Sequence, residues 1–163
     1  MTATTALPPA VRHGSFRIEK HYAFTPAQVF GAWTTPEARR AWFVEGPGFD
    51  ILDYRLDFRT LGHEYCRFRV TGETTEIWNQ TVFHEILPDA RVVFAYSMGT
   101  QAGAFSASLA TAELFADGKG GTRLVFNEQI AQLDGKDQVP DREGGTRWLL
   151  DRLEQYLQGS LKR

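Results

Sequence analysis

The chain has 163 residues, which accommodates one domain with a sizeable core. Its 18 Lys and Arg against 20 Asp and Glu leave a net charge of −2, which argues against a surface built to hold nucleic-acid phosphates or to sit on an anionic membrane. The single cysteine, Cys66, excludes an internal disulfide and a cysteine-rich metal site. No apolar run approaches the roughly 18 residues of a membrane span. The first residues lack the basic-then-apolar pattern of a signal peptide, so a soluble, cytoplasmic protein is expected. Aromatic residues make up 13% of the chain, which favours either a bulky core or an aromatic-lined pocket.

Residues 1–14 are Thr/Ala/Pro-rich and patternless, and are expected to be a flexible tail before a single domain over 15–163. Residues 16–24 alternate as a first strand, with Phe16, Ile18, Lys20 and Tyr22 on one side. Thr25-Pro26 starts a short helix, with Val29, Phe30 and Trp33 at helical spacing. Thr35-Pro36 starts a second one carrying Ala38, Ala41 and Trp42. From Phe49 the period becomes two, and Leu52, Tyr54, Leu56 and Phe58 oppose Asp53, Arg55, Asp57 and Arg59. Further strands are expected over 63–71, 75–86 and 91–98. Residues 105–116 contain good helix formers, but the Asp-Gly-Lys-Gly-Gly turn at 117–121 leads into another strand and favours a hairpin. Residues 142–157 form an amphipathic helix with Leu149, Leu150, Leu153, Tyr156 and Leu157 on one face. A long helix after a run of strands covers one face of the sheet.

Five segments in this order carry a resemblance. They are FTPAQVFGAWTTPEARRAWF, DFRTLGH (57–63), EILPDARVVF (85–94), GGTRLVFNEQ (120–129) and GTRWLLDRLEQYL. Together they resemble the START-like superfamily (polyketide cyclase and lipid transport, SRPBCC), and within it the branch named after the activator of the Hsp chaperone ATPase. The resemblance covers about residues 16–158. Leu61-Gly62 stands where that branch has Gly-Gly, so this turn is expected to differ. The resemblance implies an α+β helix-grip fold: a curved antiparallel sheet of about seven strands around a long C-terminal helix, with two short helices after strand 1 and an internal cavity. The superfamily includes lipid carriers, cyclases, sensors and chaperone partners, so function has to be read from the site.

The candidate ligand-binding residues are Trp42, Phe43, Tyr54, Arg67, Trp78, Gln80, His84, Tyr96, Glu128 and Trp148. Each has a plainer reading, core packing for the aromatic residues and a solvated face for the charged ones. On strand 75–86, Glu76, Trp78, Gln80, Val82 and His84 share one face, which suits a wet pocket or the solvent side. Arg67, if buried, needs a carboxylate, and Glu128 is the candidate partner. His84 with Glu76 or Glu128 is a candidate acid/base pair, although no catalytic residue can be assigned. His13, His21, His63 and His84 share no metal-ligand spacing, so no metal and no cofactor is expected. Cys66, among Phe68 and Val70, reads as an inert buried thiol.

The reading favoured is a binding protein for a small, largely apolar, aromatic or lipid-like molecule held between sheet and C-terminal helix. A cyclase- or hydrolase-like acid/base enzyme and a chaperone-type interaction module are the alternatives. Homodimerisation through a strand edge or the long helix and contact with a chaperone are open partner readings.

Overall fold

A computed structural model describes residues 6–159. Seven antiparallel strands form one curved sheet in the order β1-β7-β6-β5-β4-β3-β2. The strands are β1 (Arg12–Tyr22), β2 (Phe49–Leu56), β3 (His63–Val70), β4 (Ile77–Leu87), β5 (Arg91–Thr100), β6 (Gly103–Ala116) and β7 (Thr122–Gln132). Helices α1 (Pro26–Thr34) and α2 (Pro36–Arg39) follow β1, and α2 runs directly into a π-helical turn at Arg40–Val44. The long helix α3 (Val139–Leu157) closes the chain. This is the α+β helix-grip architecture the sequence resemblance implies.

Local chemistry explains the element boundaries. Thr25 caps α1 reciprocally: its Oγ1 accepts from the Gln28 N–H (3.3 Å), while the Gln28 side chain accepts from the Thr25 N–H (2.9 Å). Thr35 caps α2 through the Ala38 N–H (3.2 Å), and both helices carry proline in their first turn. The segment 105–116 is strand, as the hairpin argument requires: Asp117 Oδ1 accepts from the Lys119 and Gly121 N–H groups and fixes the β6–β7 turn.

Two element starts differ from the sequence reading by three residues or more. β1 begins at Arg12, inside the segment expected as tail, because β7 is long enough to pair with it as far as Gln132. Residues 1–5 of that tail lie outside the described residues. α3 begins at Val139 rather than at residue 142, with Pro140 in its first turn. Proline there loses no helical hydrogen bond.

Bulges redirect two strands. Leu52 has no partner in β3, so Phe49 and Tyr54, which a straight strand would place on opposite faces, both turn toward the concave side. His84 is likewise skipped in the β4–β5 register, so Phe83 and Ile86 both pack inward while His84 stays exposed. The core under α1 is dense. Ala110 and Ala112 on β6 leave room for α1, and Trp33 packs against Trp42 (5.2 Å between ring centres) and Phe94 (6.1 Å).

The last residue of α2, just ahead of the π-helical turn, is fastened to β3 by a buried ion pair. Arg39, 0% exposed, donates from Nε and Nη2 to the two carboxylate oxygens of Glu64 at 2.9 and 3.1 Å. Tyr54 donates to the same carboxylate (2.8 Å), and the guanidinium lies 3.4 Å from the Phe43 ring centre. Arg39 Nη1 has no partner among the described residues. Removing one partner leaves a buried charge uncompensated. Glu64→Gln and Arg39→Met are each expected to lower unfolding free energy by about 3–5 kcal/mol. In a urea double-mutant cycle the pair is expected to couple strongly, the double variant losing less than the sum.

In the 57–63 turn Leu61 stands where the related branch has glycine, and it keeps a backbone conformation suited to glycine. Leu61, 65% exposed, adopts a φ of 63°, the left-handed region in which a side chain costs energy and glycine does not. A Cβ on Gly62 would run into the carbonyl oxygens of Asp57 and Arg59. Leu61→Gly is expected to raise stability by about 0.5–1 kcal/mol and Gly62→Ala to lower it by about 2 kcal/mol or more, read as midpoint shifts in urea at unchanged slope.

Candidate functional site: a cavity beneath the C-terminal helix

α3 packs mainly against β1, α1 and the π-helical turn. Between its middle and the strands β3, β4 and β5 lies a cavity of about 390 Å³. That is within the range of small-molecule sites, roughly 300–1,000 Å³. Trp42, Phe43 and Val44 of the π-helical turn form one wall. A π-helical turn widens the helix locally and is frequent at functional sites. Phe94, Phe126, Phe68 and Cys66 form the floor from the sheet. Gly145, Trp148 and Leu149 of α3 form the roof. Trp148 is 38% exposed and packs on Phe49 (6.2 Å between ring centres), which places both at the rim.

One end of this apolar space is polar. Arg142, in the first turns of α3, reaches down to the sheet. Its Nη1 donates to Tyr96 Oη (2.8 Å), to Glu128 Oε1 (3.3 Å) and to Ser108 Oγ (3.5 Å), and its Nη2 donates to Ser106 Oγ (2.8 Å). Tyr96 donates its hydroxyl to Glu128 Oε1 (2.7 Å). Burial, and next to it the Glu128 charge, raise the Tyr96 phenol well above its ordinary range, so it keeps its proton at neutral pH. Glu128 is 1% exposed, and its Oε2 has no hydrogen-bond partner among the described residues. Cys66, on the cavity floor, is pushed up to about 12 by burial and by the Glu64 charge. It is a protonated, unreactive thiol at neutral pH.

Of the ten candidate residues, Trp42, Phe43, Tyr96, Glu128 and Trp148 meet at this cavity. Tyr54 faces the same side of the sheet but lies with Glu64 and Arg39 behind the wall. The other four stand elsewhere. Arg67 is paired on the surface with Glu76 (2.7 Å), not with Glu128, whose cation is Arg142. Trp78 donates its indole N–H to Thr100 O (3.0 Å) and covers Gly99, while Gln80 and His84 are exposed. The face of β4 carrying these residues is thus the convex one, and the opposite face holds Asn79, Thr81 and Phe83. With His84 exposed in a bulge, neither Glu76 nor Glu128 forms an acid/base pair with it.

Sequence reasoning passed over Arg142, Asn79, Ser106 and Gly145. Signals existed for two of them. Arg142 precedes Thr146, Leu149, Leu150 and Leu153 at helical spacing, so the apolar stripe of α3 begins on an arginine. Asn79 is in phase with Ile77, Thr81 and Phe83. Among the described residues no cluster of His, Cys, Asp and Glu is arranged to hold a metal ion, and no helix is long and apolar enough to cross a membrane.

Comparison with known proteins agrees with this architecture. Residues 23–158 match the family described as Activator of Hsp90 ATPase homolog 1-like protein. The crystal structure of a Rhizobium loti protein is 40% identical, covers 90% of this chain and 99% of its own, and superposes with a TM-score of 0.83. A Rhizobium leguminosarum protein is 36% identical over 91% of this chain and 97% of its own, with a TM-score of 0.83. An AHSA1-like protein from Aeromonas hydrophila shares the fold at 15% identity, over 90% and 94% of the two chains, with a TM-score of 0.66. No curated protein matches the chain. The matched span and the 40% identity to a relative aligned over 90% of this chain show that it belongs to the Activator of Hsp90 ATPase homolog 1-like family.

Proposed function

We propose that the protein binds a small, largely apolar molecule in the cavity beneath α3. The observation that carries this reading is a space of about 390 Å³ walled by aromatic side chains and open at the Trp148 rim, with its charged groups gathered at one end. Apolar burial at about 25 cal/mol per Å² supplies several kcal/mol for a ligand that leaves a few hundred Å² out of water. Association costs reduce this to affinities of micromolar order. The polar end orients the ligand.

Binding is favoured over acid/base chemistry by the state of the polar groups. Tyr96 keeps its proton and hydrogen-bonds through it to Glu128, and Glu128 is ion-paired with Arg142. A base for catalysis needs a free, titrating group near the operating pH. The shared family fold, which commonly holds hydrophobic ligands, supports the same reading.

Gly145 offers a direct test. It lies within α3 on the cavity roof, and a Cβ there would meet nothing within 4 Å. Gly145→Ala is expected to stabilise the fold by about 0.5–1 kcal/mol, since glycine weakens a helix interior. Gly145→Phe is expected to keep the melting temperature while lowering the affinity for an apolar dye such as Nile red by at least about tenfold, by filling the space the dye would occupy. Equal dye binding by wild type and Gly145→Phe, or no apolar probe bound by the wild type, would sink the proposal.

A further inference from the structure

The polar end of the cavity has an asymmetry that bears on the chemistry of the ligand; the inference rests on the reading that the cavity holds one. The terminal nitrogens of its guanidinium and its phenol hydroxyl are engaged. Arg142 spends Nη1 on Tyr96, Glu128 and Ser108, and Nη2 on Ser106. The Tyr96 hydroxyl proton goes to Glu128 Oε1. The acceptor side is not used up in the same way. Glu128 Oε1 receives two hydrogen bonds, but Oε2, on a residue 1% exposed and on the cavity wall, receives none among the described residues. Buried carboxylate oxygens normally find a donor, because leaving one unmatched costs the desolvation of a charged group.

We propose that Glu128 Oε2 accepts a hydrogen bond from the ligand, so that the preferred ligand is a neutral, mostly apolar molecule carrying a hydroxyl rather than a carboxylate. Charge balance supports the neutral form. Arg142 and Glu128 already cancel, so an ammonium would bring an uncompensated charge into an apolar space. A carboxylate would meet a cluster whose open carboxylate atom is itself anionic.

The test compares three probes of one ring system near neutral pH by calorimetry on the intact protein. They are 2-naphthol, which donates; 2-methoxynaphthalene, which carries the oxygen without the proton; and 2-naphthoate, which is anionic. 2-Naphthol is expected to bind at least about tenfold more tightly than either of the others, the range set by a hydrogen bond to a charged acceptor. In Glu128→Gln, the amide oxygen must take the Oε1 position to satisfy Tyr96 and Arg142, which turns the open position into an N–H donor. There the preference for 2-naphthol over 2-methoxynaphthalene is expected to shrink to within about threefold or to reverse.

Equal binding of 2-naphthol and 2-methoxynaphthalene to the wild type, or tightest binding of 2-naphthoate, overturns the inference and leaves the apolar cavity standing. A preference unchanged in Glu128→Gln also overturns it. Failure of all three probes to bind removes the cavity reading and this inference with it. If Glu128→Gln does not fold, the wild-type comparison alone decides.

Discussion

Two guanidinium groups fasten α3 to the rest of the molecule, and the hollow beneath it follows from where they sit. Arg142 reaches down to β5, β6 and β7. Arg152, with only 9% of its surface exposed, donates to the carbonyl oxygens of Ala41 (2.8 Å) and Trp42 (3.3 Å) in the π-helical turn. At 1.5 Å per residue these anchors are roughly 15 Å apart along the helix axis. Near the second anchor the Tyr22 hydroxyl donates to Leu150 O (3.0 Å), and Lys20 pairs with Asp151 and Glu154. The stretch between the anchors is carried by its ends and has no need to rest on the middle strands.

The same arrangement explains the uneven packing of the concave face. Under α1 the floor is Ala110, Ala112 and Leu124, matched to aromatic residues from above, and little space is left. Toward Arg142 the same strands carry Ser106, Ser108, Glu128 and Gln132, all buried. Buried polar side chains stabilise little on their own, because desolvation offsets most of what their hydrogen bonds return. They do fix geometry, since each group accepts few placements. One part of the concave face is therefore a solid core and another a shaped recess, with the boundary crossing β6 and β7.

Much of the fold was legible in the sequence because it rests on short-range patterns. The Thr-Pro helix starts, the period-two strands and the Gly-rich hairpin are each decided within a few residues. The site was legible only in part. Trp42, Phe43, Tyr96, Glu128 and Trp148 lie at the cavity, but Arg67, Trp78, Gln80 and His84 do not. Alternation along a strand separates two faces without saying which one is concave. On β4 the mixed face of Trp78 and Gln80 turned out to be the convex one. Bulges at Leu52 and His84 then shift the parity in mid-strand, and no local propensity marks them. The pairing of Glu128 with Arg142 joins a strand to a helix 14 residues further on through tertiary contact alone.

Three of the four tryptophans, Trp33, Trp42 and Trp148, border the cavity, and the fourth is on the far side of the sheet. Trp42 is immobilised by the bond from its indole N–H to Ala32 O (2.7 Å), whereas Trp148 stands at the rim with part of its ring in water. Indole emission moves to shorter wavelength as water leaves the ring. The molecule thereby carries its own optical gauge: covering the rim dries Trp148 and shifts its fluorescence toward the blue, with no label attached.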